Sequence, residues 1–250
     1  MSECANNVSC VAWYEGRLAA FDIETTGTDP ESDRIVTAAV SLVGGGRSPE
    51  HLAWLLDPGI EIPAEASAVH GITTERARTE GRHAGEATEE ITSVLADQMR
   101  QGVPIIAYNA RFDLTILDRE SRRHAFPTLL DRVGGPDGMI VIDPYVIDKQ
   151  FDRFRRGKRT LEAVCEHYRV RLDEAHTANT DAIAAARVAY RLGSTIPELC
   201  EVEPRALHCE QVAWAAEQAA SLEDYFREKG RPEAVERVWP IAPERLAQAA

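Results

Sequence analysis

Four carboxylates and one imidazole stand where packing alone gives no reason for them. Asp22 and Glu24 end the run RLAAFDIE, with one residue between them. Side chains at i and i+2 of a strand project from the same face, so this pair sets two like charges side by side. A solvated strand end is one reading. A hard-cation site is the other: the run before the pair is fully apolar, Thr25-Thr26-Gly27 turns the chain at once, and Mg²⁺ takes oxygen ligands. Asp113 lies in Asn109-Ala110-Arg111-Phe112-Asp113, in the first turn of an expected helix, where an acid also complements the helix dipole. The third piece is His176-Thr177-Ala178-Asn179-Thr180-Asp181. Five residues apart, His176 and Asp181 do not share a helix face. With Asn179 or Thr180 as the cap, His176 stands on the loop before the helix and Asp181 on its first turn. An imidazole beside a helix-fixed carboxylate suits a general base next to a metal ligand; a surface loop histidine is the alternative.

The elements that carry these groups follow from hydrophobic pattern. Residues 17–22, 35–43 and 51–56 read as strands, the last two separated by a turn that contains Gly44-Gly45-Gly46, so an antiparallel meander is expected. Residues 63–73, with Val69-His70-Gly71-Ile72-Thr73, read as a loop or short helix. Residues 86–100 have helical spacing at Ala87, Ile91, Val94, Leu95 and Met99. Short strands at 104–108 and 139–143 alternate with helices at 109–122, 160–167 and 180–192. The expected fold class is α/β, a mixed β-sheet of antiparallel meander and then parallel strands, flanked by helices. Residues 1–16 read as an N-terminal arm, 17–194 as the main domain and 195–250 as a helical C-terminal extension. Its helix, 205–229, has Val212, Trp214, Ala215, Leu222, Tyr225 and Phe226 as the apolar side, expected to pack on the domain.

With 28 Lys+Arg against 41 Asp+Glu the net charge is −13, which argues against a protein that coats nucleic acid by blanket positive charge. A 44% hydrophobic composition supports a core. No run of about 18 apolar residues suggests a membrane span, and residues 1–14 have neither the basic flank nor the apolar run of a signal peptide. Five scattered cysteines without C-x-x-C or zinc-finger spacing read as reduced thiols, so a cytoplasmic location is expected. One segment departs from the acidic balance. Arg153, Arg155, Arg156, Lys158 and Arg159 are interleaved with Phe151 and Phe154. A solvated loop and a phosphate contact are both open there.

Taken together, F-D-I-E-T-T-G, Y-N-A-R-F-D-L-x-x-L and H-T-A-N-T-D resemble the three exonuclease motifs of the DEDDh superfamily. This RNase H-like group includes the proofreading epsilon subunit of bacterial DNA polymerase III. The V-H-G-I-T segment at 69–73 and the R-T-L-E-A-V-C segment at 159–165 are similar to segments of epsilon-type members. The resemblance covers about 17–193. It implies that Asp22, Glu24, Asp113 and Asp181 bind two Mg²⁺ or Mn²⁺ ions and that His176 is the general base. It also implies hydrolysis of phosphodiester bonds from a 3′ end, with release of nucleoside 5′-monophosphates. Thr25, Thr26, Gly27 and Phe112 fall where relatives contact the terminal nucleotide; Asn109 belongs to the same motif, and His70 is either a base contact or a core or capping histidine. Arg155, Arg156, Lys158 and Arg159 are candidate phosphate contacts. Tyr108 departs from the family, where many members have His before the Asn. The expected partners are DNA or RNA 3′ ends, with a DNA polymerase and a second copy of the chain as further candidates, and no membrane. Proofreading or repair is the leading role. RNA or short-oligonucleotide trimming, a non-catalytic polymerase-associated protein and a phosphatase acting on a small nucleotide are the alternatives.

Overall fold

The computed structural model describes residues 11–172 and 177–245. Three long strands come first: β1 (Arg17–Thr25), β2 (Ile35–Gly44) and β3 (Glu50–Asp57). β1 pairs antiparallel with β2, and β2 with β3. The turn after β2 uses Gly44, Gly45 and Gly46, all at positive φ, which only glycine adopts without steric penalty. Two short helices follow, α1 (Ala64–His70) and α2 (Thr74–Glu80), then β4 (Arg82–His83) and the long α3 (Ala84–Arg100). β5 (Ile105–Ile106) leads to α4 (Ala110–Arg123) and α5 (Leu129–Val133), and β6 (Val141–Ile142) to α6 (Pro144–Phe151). The chain continues through α7 (Leu161–Tyr168), α8 (Ala178–Thr195) and α9 (Pro204–Glu228). The sheet order is β4-β3-β2-β1-β5-β6, with β5 parallel to β1 and β6 parallel to β5. This is the mixed, helix-flanked sheet that the sequence pattern predicts.

β1 is central and buried on both faces. Ala19, Phe21 and Ile23 join one apolar cluster with Ile91 and Leu95 of α3 and Leu114 and Leu117 of α4. Leu18 and Ala20 join the other, under Ala182, Ala185, Ala189 and Leu192 of α8. The alanines leave α8 flat enough to lie close on the strand. Each fully buried Leu or Ile contributes about 1.5–3 kcal/mol.

The C-terminal extension is bound to the sheet through polar groups. β6 is an edge strand, and an uncovered edge exposes unpaired backbone groups. α9 covers it: His208 Nδ1 accepts the Val141 N–H at 3.2 Å, and Gln211 donates to Val141 O at 3.1 Å while its Oε1 accepts the Asp143 N–H at 2.7 Å. The buried face of α9 is therefore Leu207, His208, Gln211, Ala215 and Ala219. The apolar side expected from the sequence is corrected: Trp214 is packed against the core, but Val212, Leu222 and Tyr225 are exposed. Beyond α9 the chain returns across α4. Trp239 and Ile241 enter the first cluster, and Ala242 donates to Thr115 Oγ1 at 2.9 Å.

Candidate active site

The alternation of β1 brings the acids together. Asp22 and Glu24 continue the face of Leu18 and Ala20, the face that α8 covers, and there they meet Asp181 in the first turn of that helix. One carboxylate oxygen from each of Asp22, Glu24 and Asp181 lies within 4.8 Å of the others. Burial and the neighbouring carboxylates, Asp113, Asp181 and Glu24 in that order, hold the Asp22 carboxyl well above its usual pKa. Asp113 comes from α4, whose Leu114 and Leu117 pack on the other face of the sheet, and its carboxylate reaches the end of β1 near Asp22. It is almost fully buried in the first turn of α4, and its Oδ1 accepts the Ile23 N–H at 3.3 Å. Its carboxyl is also raised, chiefly by burial, against the lowering effect of its backbone hydrogen bonds.

These donors suit a divalent cation. All are hard oxygen ligands, and a cation relieves the repulsion among carboxylates this close. Asp22, Glu24 and Asp181 form the group in reach of a shared ion. His176 falls outside the described residues. The cap expected at Asn179 or Thr180 is instead Thr177, whose side chain accepts from the Thr180 N–H, so α8 begins at Ala178. Asn179 is turned back toward the sheet, where its Oδ1 accepts from Ser41, itself in contact with His51 Nδ1 at 2.9 Å.

The turn after the acid pair is fixed from within. Thr26 is buried; its hydroxyl donates to Asp33 Oδ1 at 2.7 Å and accepts the Arg34 N–H at 3.0 Å. The Asp33 carboxylate lies so close over Gly27 that a Cβ there would meet it at 2.6 Å. Thr25 donates to Gly27 O at 2.6 Å. Beside Glu24 a cleft of about 360 Å³ is lined by Ala38, Trp54, Ile72, His70 and Asn179. His70 Nδ1 accepts the Ile72 N–H at 3.1 Å. Burial lowers the His70 pKa, against a smaller opposing pull from the Thr25 backbone.

Asn109 is held in the left-handed region at φ 60°. Its N–H and that of Ala110 both donate to Asp143, at 2.9 Å each, so the buried Asp143 anchors the start of the helix that carries Asp113. Burial pushes the Asp143 carboxyl up to about 6. The sequence placed Asp143 only as the last residue of a strand; an acid between a buried run and Pro144 was the available signal. Phe112 is half-buried against the core. The departure at Tyr108 has a structural role, since its hydroxyl donates to Arg159 O at 2.7 Å.

The basic segment divides in two. Arg155 and Arg159 turn inward to the fully buried Asp148, which also accepts from Tyr168 at 2.9 Å. These two are corrected as phosphate contacts: their charge is committed to a carboxylate that would otherwise be buried alone. Arg156 and Lys158 are exposed.

Residues 19–189 match the model of the family described as Exonuclease (RNase_T). The chain belongs to this family. Similar members include DNA polymerase III PolC-type of Streptococcus agalactiae, 26% identical over 182 residues that cover 71% of this chain and 11% of the relative. The corresponding protein of Lacticaseibacillus paracasei is 26% identical over 172 residues, 69% of this chain and 11% of that protein. The chain thus spans about a tenth of the length of the curated relatives it matches. Among solved structures, Escherichia coli exonuclease I in complex with a dT13 oligonucleotide is similar at TM-score 0.62 and 20% identity, over 74% of this chain and 43% of that one. Exonuclease I from Methylocaldum szegediense is similar at TM-score 0.59 and 22% identity, over 84% and 46%. These likenesses establish the shared fold of the exonuclease domain. Among the described residues, no helix is long and apolar enough to cross a membrane.

Proposed function

We propose that this chain is a 3′–5′ exonuclease that hydrolyses the terminal phosphodiester of a DNA strand and releases nucleoside 5′-monophosphates. The convergence of Asp22, Glu24 and Asp181 within 4.8 Å carries the reading. Those three carboxylates, with Asp113 from α4, would hold two divalent cations, Mg²⁺ or Mn²⁺. When bound, the ions supply Lewis acidity toward the attacking and leaving oxygens of an in-line displacement.

The remaining work belongs to the chain's own groups. His176, directly before the Thr177 cap, takes the proton of the attacking water; a histidine's ordinary pKa near 6.5 leaves it neutral and able to accept at pH 7. The Thr25–Gly27 turn, braced by Asp33, fixes the end of β1. The cleft beside Glu24 receives the terminal nucleotide, with His70 and Trp54 on its wall. Asp143 positions α4 and therefore Asp113.

DNA is favoured as substrate by the PolC-type DNA polymerases and by exonuclease I bound to dT13. Proofreading or repair follows as the role. The test is hydrolysis of labelled single- and double-stranded DNA, RNA and mismatched 3′ ends. The parent should release mononucleotides with Mg²⁺ or Mn²⁺; Asp22→Asn should not, and His176→Ala should do so at a rate lowered at least about 10²-fold. Undiminished cleavage by both purified variants would reject the assignment.

A further inference from the structure

The function above leaves the face between α6 and α9 unused. Two adjoining hollows there, of about 360 and 150 Å³, share Lys149 and Gln218. They form one groove that opens at Asn109 and Arg111, at the start of the helix carrying Asp113, and runs to Phe154 and Tyr225. Four cations line it: Arg159 is paired with Asp148, and Arg111, Lys149 and Arg153 make their direct contacts with neutral groups. Arg111 donates to Glu236 O at 2.8 Å, and its Nε is buried with no hydrogen-bond partner among the described residues. Lys149 Nζ lies 4.9 Å from the centre of the Tyr145 ring. Arg153 reaches the Ser221 hydroxyl at 3.4 Å and lies 6.0 Å from the centre of the Phe154 ring. The buried acids of this region are already used: Asp148 by Arg155 and Arg159, Asp143 by backbone N–H groups. Asp143 and Glu217 are the carboxylates on the wall.

Four cations against Asp143 and Glu217 leave the lining of this groove net positive, which favours an anion. Burial, then the charges of Arg159 and Arg111, push the Lys149 ammonium below its usual pKa, against a smaller opposing pull from Asp143. At the outer end the aromatics are open: Phe154 is 90% exposed and Tyr225 49%. Cations at intervals along a groove, with exposed aromatic faces beside them, match the backbone and bases of an unpaired strand. A lone phosphate would not use the aromatics, and a duplex could not present its bases to them.

We infer that the groove between α6 and α9 binds single-stranded nucleic acid, guiding the strand behind its 3′ end past Arg111, Lys149 and Arg153 with bases stacked on Phe154 and Tyr225. The C-terminal helix is thereby half of a strand-binding site, which explains how a chain of net charge −13 retains a polyanion. The inference rests on the exonuclease reading only for the direction of the strand, and binding is measurable without turnover.

The test is fluorescence anisotropy of the full chain with labelled oligothymidylate of about 20 nucleotides, in EDTA, over about 50–300 mM NaCl. The Lys149→Gln/Arg153→Gln double variant should flatten the plot of log K against log salt by about 1.4, at about 0.7 per lost phosphate contact. Phe154→Ala, at a surface position that no fold contact needs, should weaken binding by about 5-fold or more with the salt slope unchanged. Melting temperatures establish that the variants are folded. Parental affinity and slope in both variants would overturn the inference, as would equal affinity for a duplex of the same length. If parental binding follows the prediction but no substrate is hydrolysed with Mg²⁺ or Mn²⁺, the nuclease reading fails and the groove stands.

Discussion

Replacing Asp22 by asparagine should stabilise the metal-free protein while removing its activity. The side chain keeps its shape, so what changes is charge. Asp22 has Glu24 and Asp181 with carboxylate oxygens within 4.8 Å. At that separation each like pair repels by about 0.9 kcal/mol in bulk water and about 3.5 kcal/mol at an effective dielectric of 20. Two pairs therefore give about 2–7 kcal/mol. Proton uptake by the raised carboxyl limits how much of this repulsion survives at pH 7, so the lower end, about 2 kcal/mol, is the expected gain. For a chain of this size that is about 4–8 °C in melting temperature. The assay is thermal unfolding in EDTA, then with Mg²⁺ or Mn²⁺. The parent should gain stability with metal, and the variant should gain less. The pH dependence has a fixed sign. A carboxyl with a raised folded-state pKa binds its proton more tightly in the folded chain, so its favourable contribution is complete below the unfolded carboxyl pKa and is lost as pH rises through the folded one. The metal-free parent should lose stability as pH rises, and Asp22→Asn should reduce that loss. A variant no more stable than the parent in EDTA would refute the idea that these carboxylates repel one another in a cation site.

Three further outcomes are expected. His176→Ala should lower turnover by about 10²–10⁴-fold with its circular dichroism and melting temperature retained; a comparable loss of stability would assign His176 to the fold instead. Asp148→Ala should cost about 3–5 kcal/mol in denaturant unfolding, because Arg155 and Arg159 lose the carboxylate they turn inward to meet; a change below about 1 kcal/mol would return those arginines to the surface. Trp239→Ala should cost about 3–5 kcal/mol, since the indole is buried in the main cluster and its Nε1 reaches Asp143 at 3.4 Å. An unaltered unfolding midpoint would show that the segment after α9 is dispensable to the core.

What could be read from the chain depended on how local the cause was. β1 and β2 are apolar runs bounded by turn residues, and the acid pair sits at the end of one of them. β4 escaped because Arg82 and His83 are two polar residues whose pairing with Leu56 and Asp57 decides their conformation. α2 escaped because Ala77 is its one buried residue, too few for periodicity to show. The face of α9 was misassigned for the opposite reason: its contact with the sheet uses His208 and Gln211, polar side chains that satisfy an open strand edge. Arg155 and Arg159 look like surface charge until Asp148, seven and eleven residues away, is seen beneath them. The convergence of Asp22, Glu24 and Asp181 was legible only through the family resemblance, since Asp181 lies more than 150 residues from Asp22 and the fold alone joins them.

The most direct measurement follows the fate of each end of one oligonucleotide. Strands carrying a label at either the 5′ or the 3′ end are incubated with the full chain and Mg²⁺ or Mn²⁺, and the products are separated by length and identified. The 5′-labelled strand should shorten by single nucleotides while the 3′ label is released first, as a nucleoside 5′-monophosphate, and EDTA or Asp22→Asn should stop both. Shortening from the 5′ end, internal cuts, or hydrolysis that persists in EDTA would contradict the account.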